Sequence, residues 1–121
     1  MKKKANKADD QLLSEIIDAI QDKKGRAIVK MDLRDIPHAV CDYYIICHGD
    51  SNTQVSAIAD SVEERLIQIK QKPRSIEGVR NSQWILVDLF NVIVHIFQKE
   101  ARDFYNIEDL WADGKITHIK D

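Results

Sequence analysis

Several things are scarce in this chain, and each scarcity excludes something. Only 2 of its 121 residues are cysteine, Cys41 and Cys47. They bracket one apolar run, so an extended backbone sets them roughly 20 Å apart at about 3.3 Å per residue. A disulfide needs Cα atoms within about 7 Å, so the two are not expected to pair with each other. They read as small buried thiols in a reducing compartment. No stretch approaches the ~20 apolar residues a spanning helix needs, so no membrane partner is expected. The start, Met1 to Lys7, is basic, but no signal-peptide core follows it, and a cytoplasmic location is expected. Charge of one sign is lacking too: 18 basic against 20 acidic residues leave a net charge of −2. That argues against a general nucleic-acid coat, though not against a local basic patch. There is no internal repeat and no low-complexity core.

What is present suits one ordinary domain. The chain is 44% hydrophobic and 31% charged, and at this length a domain buries about 65% of the surface its unfolded chain exposes. Residues 1–8 read as a disordered basic tail, or as a flexible arm touching RNA phosphates. Residues 9–113 read as a single α/β domain, and 114–121 as a C-terminal tail. Residues 9–24 carry a helical stripe of Leu13, Ile16, Ile17 and Ile20, capped by Asp9 or Asp10 and stopped by Gly25. Residues 26–33 read as a strand, 34–41 as a loop around Pro37, and 42–48 as a strand apolar enough to be buried on both faces. Ser51 with Gln54 forms a capping box. Val55, Ile58, Ala59, Val62, Leu66 and Ile69 then mark one face of a long helix that Pro73 limits. Such a crossover predicts that the next strand, near 75–79, runs parallel to the second. Residues 83–89 and 91–97 read as a hairpin joined at Phe90-Asn91, where Asn91 suits a positive φ and Phe90 does not. Residues 99–112 read as one helix. The expected fold is a mixed five-stranded sheet flanked by helices.

The order of elements suggests a nucleotidyltransferase-like fold, in which paired carboxylates on a strand hold two metal ions. That pair is missing: strand 83–89 offers only Asp88, its neighbour offers none, and Asp60 falls inside a helix. The Gly49-Asp50-Ser51 turn could hold an anion at a helix start, which keeps a degenerate nucleotidyltransferase or nucleotide-binding domain as the alternative. His38, His48, His95 and His118 lack metal-site spacing; His95 shares a strand face with Ile93 and Phe97 and reads as hydrogen-bonded. No phosphate-binding loop or nucleophile elbow occurs. No catalytic residue, metal or cofactor is implied. What remains is a polar-aromatic C-terminal half. Period-two alternation puts Trp84, Leu86 and Asp88 on one face, and aromatic residues beside exposed polar groups make binding hot spots. Trp84 and Tyr105 read as surface, Phe104 and Trp111 as anchors of the last helix.

In this stretch the sequence resembles the Iojap family, the ribosomal silencing factors. The matching pieces run in order from Asp42-Tyr43-Tyr44-Ile45-Ile46-Cys47-His48-Gly49-Asp50-Ser51 through Gln54-Val55, Ala57-Ile58-Ala59-Asp60 and Glu77-Gly78. They continue with Trp84-Ile85-Leu86-Val87-Asp88, Val92-Ile93-Val94-His95-Ile96-Phe97, Arg102-Asp103-Phe104-Tyr105 and Ile107-Glu108-Asp109-Leu110-Trp111. The resemblance implies a nucleotidyltransferase-like fold without its catalytic carboxylates. It implies binding to the large ribosomal subunit, at the ribosomal protein numbered fourteen on the face that joins the small subunit. Bound there, such a protein blocks subunit joining and restrains translation when nutrients are scarce. The family's contact surface maps onto Glu77, Trp84, Asp88, His95, Arg102 and Tyr105. Family members can self-associate, so a homodimer is a further expectation; direct nucleic-acid specificity is not. Two positions depart from the pattern: Phe90-Asn91 where Gly-Asp is common, and Cys41 where Ser is frequent.

Overall fold

A computed structural model describes residues 7–120. The Lys-rich segment 1–6, most of the expected basic tail, lies outside the described residues. Helix α1 spans Lys7–Asp22 and starts two residues before the sequence pattern suggests. Its buried stripe is Leu12, Leu13, Ile16, Ala19 and Ile20. After Gly25 come β1 (Arg26–Asp32) and β2 (Tyr43–Gly49), an antiparallel pair. Every residue of β2 is buried, as its near-continuous apolar run predicts.

Helix α2 (Asn52–Gln68) opens on the expected capping box, with one change. The Gln54 N–H donates to Ser51 Oγ at 3.1 Å, but Gln54 Oε1 accepts from the Asp50 N–H at 2.7 Å rather than from the cap residue itself. Its amide nitrogen also donates to the carbonyls of Lys23 and Lys24, which ties the start of α2 to the end of α1. The N–H groups at this turn are thus used by the chain's own side chains, which weakens it as an anion site.

The rest of the sheet is β3 (Ser75–Glu77), β4 (Trp84–Asp88), β5 (Val92–Gln98) and, after two short helices α3 (Lys99–Tyr105) and α4 (Ile107–Leu110), β6 (Lys115–His118). The order across the sheet is β3-β4-β5-β2-β1-β6. The sheet is mixed, with β2 and β5 parallel and every other neighbouring pair antiparallel. Two features differ from expectation. The strand after α2 points the same way as β2 but sits at the far edge; the strand beside β2 is β5, reached only after the β3–β4 hairpin. A sixth strand, β6, forms where a tail was expected and pairs with β1. All four of its residues are exposed, so its hydrogen bonds to β1 hold it rather than a buried stripe, and apolar periodicity gives no sign of it.

The helix expected over 99–112 is broken at Asn106, whose φ of 45° and ψ of 49° lie in the left-handed region that asparagine tolerates. Its side chain donates to Asp109 Oδ2 at 2.7 Å. The break turns Glu108 back toward α3.

Two apolar clusters lie on opposite sides of the sheet. One joins α1 and α2 to Tyr43, Ile45, Cys47, Ile85, Val87, Val92, Val94 and Ile96. The other joins Val29, Met31, Leu33, Tyr44, Ile46 and Phe97 to the loop residues Ile36, Ala39 and Cys41, and to Ala101, Ile107 and Trp111.

Candidate functional site

On the second side of the sheet, α3, α4 and the 33–42 loop cover the half built on β1, β2 and β5. Toward β3 and β4 the cover thins. Glu77 is exposed, and Trp84, Leu86, Asp88 and Ile93 keep part of their surface open. Strand register explains the grouping. Glu77 pairs with Leu86 and Leu86 with His95, so these three form one row across the strands. Ser75, Asp88 and Ile93 form the next, and Trp84 pairs with Phe97. The approach of β3 to β4 depends on Gly78. Its φ is +85°, and a Cβ there would lie 2.0 Å from the Trp84 carbonyl oxygen, so no side chain fits.

Trp84 is held on three sides. Its ring stacks on Phe97 at 4.9 Å and meets Tyr105 at 4.8 Å. Its indole Nε1 donates to His95 Nδ1 at 3.1 Å. Nδ1 is therefore the acceptor, and the imidazole proton resides on Nε2. His95 is only 4% exposed and lies edge-on to Tyr44 at 4.5 Å. Burial lowers its pKa to about 4, so it is neutral at physiological pH. Its Nε2 is buried with no hydrogen-bond partner among the described residues.

Asp88 is committed locally. Arg74 Nη2 reaches its Oδ2 at 2.6 Å and the Phe90 N–H donates to its Oδ1 at 2.8 Å. Partial burial alone would raise the carboxyl, but Arg74 and the Phe90 N–H outweigh it and hold the pKa below the usual range. The Asp88 charge is thus neutralised within the chain.

Arg102 is 8% exposed and works from behind. Its Nε and Nη2 grip the two Glu108 oxygens at 2.8 and 3.1 Å. Its Nη1 donates to His48 Nδ1 at 2.9 Å and to the Ala27 carbonyl at 2.8 Å. Ala27 has a φ of 49° at the irregularity between Arg26 and Val29 in the β1–β2 pairing. A bulge leaves backbone groups unpaired, and Arg102 satisfies one of them. Burial and then the Arg102 charge lower the His48 pKa.

The six residues marked in the sequence therefore separate. Glu77 and Tyr105 are exposed, Trp84 and Asp88 half-buried, His95 and Arg102 buried. Trp84 touches both His95 and Tyr105; Arg102 anchors the helix that carries Tyr105. One expectation needs correction. Phe104, read as an anchor, is 80% exposed and meets only the edge of the Tyr105 ring at 5.0 Å in its aromatic contacts. Ala101, Ile107 and Trp111 face the sheet instead, because the break at Asn106 resets the helical phase. Trp111 does act as an anchor, edge-on to Tyr44 at 6.0 Å. Arg74 carried no sequence signal, since its role exists only once β3 pairs with β4. Among the described residues, no three His, Cys, Asp or Glu side chains converge to hold a metal ion, and no helix is long and apolar enough to cross a membrane.

A family model described as "Ribosomal silencing factor during starvation" matches residues 5–121. The ribosomal silencing factor RsfS of Bacillus subtilis is 41% identical over 105 residues, covering 84% of this chain and 85% of that protein. The RsfS protein of Halalkalibacterium halodurans is 35% identical over 117 residues, covering 93% and 96%. A crystal structure of a Chromobacterium violaceum protein, 32% identical, superposes with a TM-score of 0.82 over 93% of this chain and 92% of the other. A mitochondrial Iojap-related protein of Arabidopsis thaliana is 34% identical over 111 residues, covering 83% of this chain and 59% of its own length. Fold, length and sequence agree: this chain belongs to the RsfS family of ribosomal silencing factors, related to Iojap.

Proposed function

We propose that this chain silences ribosomes by occupying the intersubunit face of the large ribosomal subunit, seated on the ribosomal protein numbered fourteen, in the cytoplasm. The action is steric. A domain of this length is roughly 30 Å across, and a body of that size on a flat joining surface takes the space the small subunit needs. Affinity and position suffice, and no bond is made or broken.

The observation that carries the reading is the half-open sheet face around Trp84. A large aromatic side chain, partly exposed and clamped by Phe97, Tyr105 and His95, is what an interface anchor requires: area and rigidity together. Glu77 beside it supplies a carboxylate for a basic residue of the ribosomal protein. Arg102 and His95 shape the face from beneath, and Asp88 holds Arg74 and the hairpin at its end. Sedimentation of ribosomal subunits tests this directly. The chain should co-migrate with the large subunit and lower the joined-ribosome peak. Trp84→Ala should stay folded and lose at least about 2 kcal/mol of binding, a thirtyfold or larger drop. Wild-type binding by the folded variant overturns the interface.

A further inference from the structure

His95 sits where an apolar side chain would pack at lower cost. Its strand neighbours Val94, Ile96 and Phe97 are fully buried and its ring is enclosed by Tyr44, Trp84 and Phe97. Placing an imidazole there removes two ring nitrogens from water, and only one of them regains a partner. Fold stability alone does not account for that choice. What the imidazole supplies, and an apolar residue cannot, is an acceptor for the indole N–H of Trp84.

We propose that His95 is a positioning residue of the ribosome-binding face: it fixes the orientation of the Trp84 indole and does not itself touch the partner. The inference rests on the reading that Trp84 contacts the large subunit. Stacking on Phe97 and contact with Tyr105 hold the indole plane, but face-to-face contacts leave sliding and flipping within the plane open. Among the described residues, the hydrogen bond that directs the indole is Nε1–H to Nδ1 at 3.1 Å. With it, Trp84 meets its partner already ordered, and the cost of immobilising a large side chain on binding is avoided. At 4% exposure His95 cannot offer its own ring to a partner without displacing Trp84. Its burial keeps it neutral, so the acceptor lone pair is available throughout the physiological range.

The test compares His95→Phe, which fills the space without an acceptor, with His95→Asn, whose side-chain oxygen can stand where Nδ1 stood. Binding of the full chain to purified large ribosomal subunits is read beside the indole N–H signals in a two-dimensional NMR spectrum. Trp84→Ala identifies the Trp84 signal. In His95→Phe that signal should shift and exchange faster with water, and binding should weaken about tenfold, the upper end of what ordering one side chain costs. In His95→Asn most of the shift and most of the binding should return. Should His95→Phe fail to fold, His95→Leu serves, because it fills the space without an acceptor and leaves the Trp84 ring unaltered. It should move the indole signal and weaken binding to the same degree. Unchanged binding and an unmoved indole signal in His95→Phe overturn the positioning role while leaving the interface standing. Full binding by Trp84→Ala overturns the interface itself.

Discussion

The two sides of the sheet are held by different means. On one side α1 and α2 lie over an unbroken apolar layer, with Ile16, Ile20, Val55, Ile58, Val62 and Leu66 all fully buried. Polar contacts join the two helices to each other: Arg65 bridges from α2 to Asp18 and Asp22 of α1 at 2.8 and 2.9 Å, and Ser61 donates to the Ala19 carbonyl at 2.9 Å. On the other side a loop and two short helices cover half the strands, and a buried Arg102 tied to Glu108, His48 and a bulge carbonyl holds them there. The first side spends its area on stability. The second leaves area uncovered, and its polar network keeps what is uncovered in one shape. Stability and binding should therefore separate by side.

The sharpest way to break that comparison is to truncate one central residue on each side. Ile58 has no exposed surface and packs between α1 and the sheet. Ile58→Ala should cost about 4 kcal/mol in urea unfolding, the usual range for emptying such a site, while the folded fraction binds the large subunit normally. Trp84→Ala should do the reverse, with a stability loss of about 1–2 kcal/mol because its ring is already partly open to solvent, and the large loss in binding. If Ile58→Ala weakens binding as strongly as Trp84→Ala, the two sides are not independent.

Acid should distinguish the sides next. The folded-state pKa of His95 lies at about 4 against 6.5 unfolded. The unfolded chain therefore binds the proton first as pH falls. The stability that the neutral ring represents is complete above about pH 6.5, erodes below it, and is lost near pH 4, a contribution of about 3 kcal/mol. His48 is depressed in the same direction, so the contribution of His95 is the difference between wild type and His95→Phe across pH 7 to 4. That difference should favour His95→Phe increasingly as pH falls. On the helix-covered side burial pushes the Cys47 thiol up to about 12, so it stays protonated throughout this range. A flat difference profile would place the His95 ring in contact with water.

Legibility in the sequence follows the same division. The helix-covered side was readable because one regular stripe on each helix faces one run of apolar strands, and period alone reveals both. The open side was readable only in part. Alternation along β4 identified Trp84, Leu86 and Asp88 as one face, yet could not show that Asp88 is occupied by Arg74, because that pairing depends on β3 docking at the far edge. The left-handed turn at Asn106 moved Phe104 out and brought Glu108 in, and no periodicity survives such a turn. β6 was invisible for a related reason: backbone pairing with β1 holds it, and it buries no stripe. Of the six marked residues, Trp84 and Tyr105 were readable as surface, but the burial of Arg102 was not, since it depends on Glu108 and the Ala27 carbonyl closing around it.

The smallest expected effect concerns the hairpin at the end of the open face. Phe90, not Asn91, takes the positive φ, at 80°. The Asn91 N–H closes on the Leu89 carbonyl at 3.0 Å, a three-residue turn of the strained kind. Asn91 instead serves as a junction: its carbonyl accepts from the N–H groups of Asp42 and Tyr43, and its side chain donates to Asp9 of α1 at 3.0 Å. Phe90 is exposed, with the Arg74 guanidinium 4.6 Å over its ring. Glycine at this position would relieve strain of about 1–3 kcal/mol. It would lose an exposed cation–π contact of about 0.5–1 kcal/mol and add about 0.5–1 kcal/mol of chain entropy to overcome. Phe90→Gly should therefore stabilise the fold slightly, by about 0.5 kcal/mol in urea unfolding, with Asp88 still held by Arg74. A loss above about 1 kcal/mol would show the ring to be part of the fold. A gain in stability accompanied by weaker binding to the large subunit would instead extend the contact face from Trp84 to the hairpin tip, and the strain at Phe90 would then be the cost of presenting that ring.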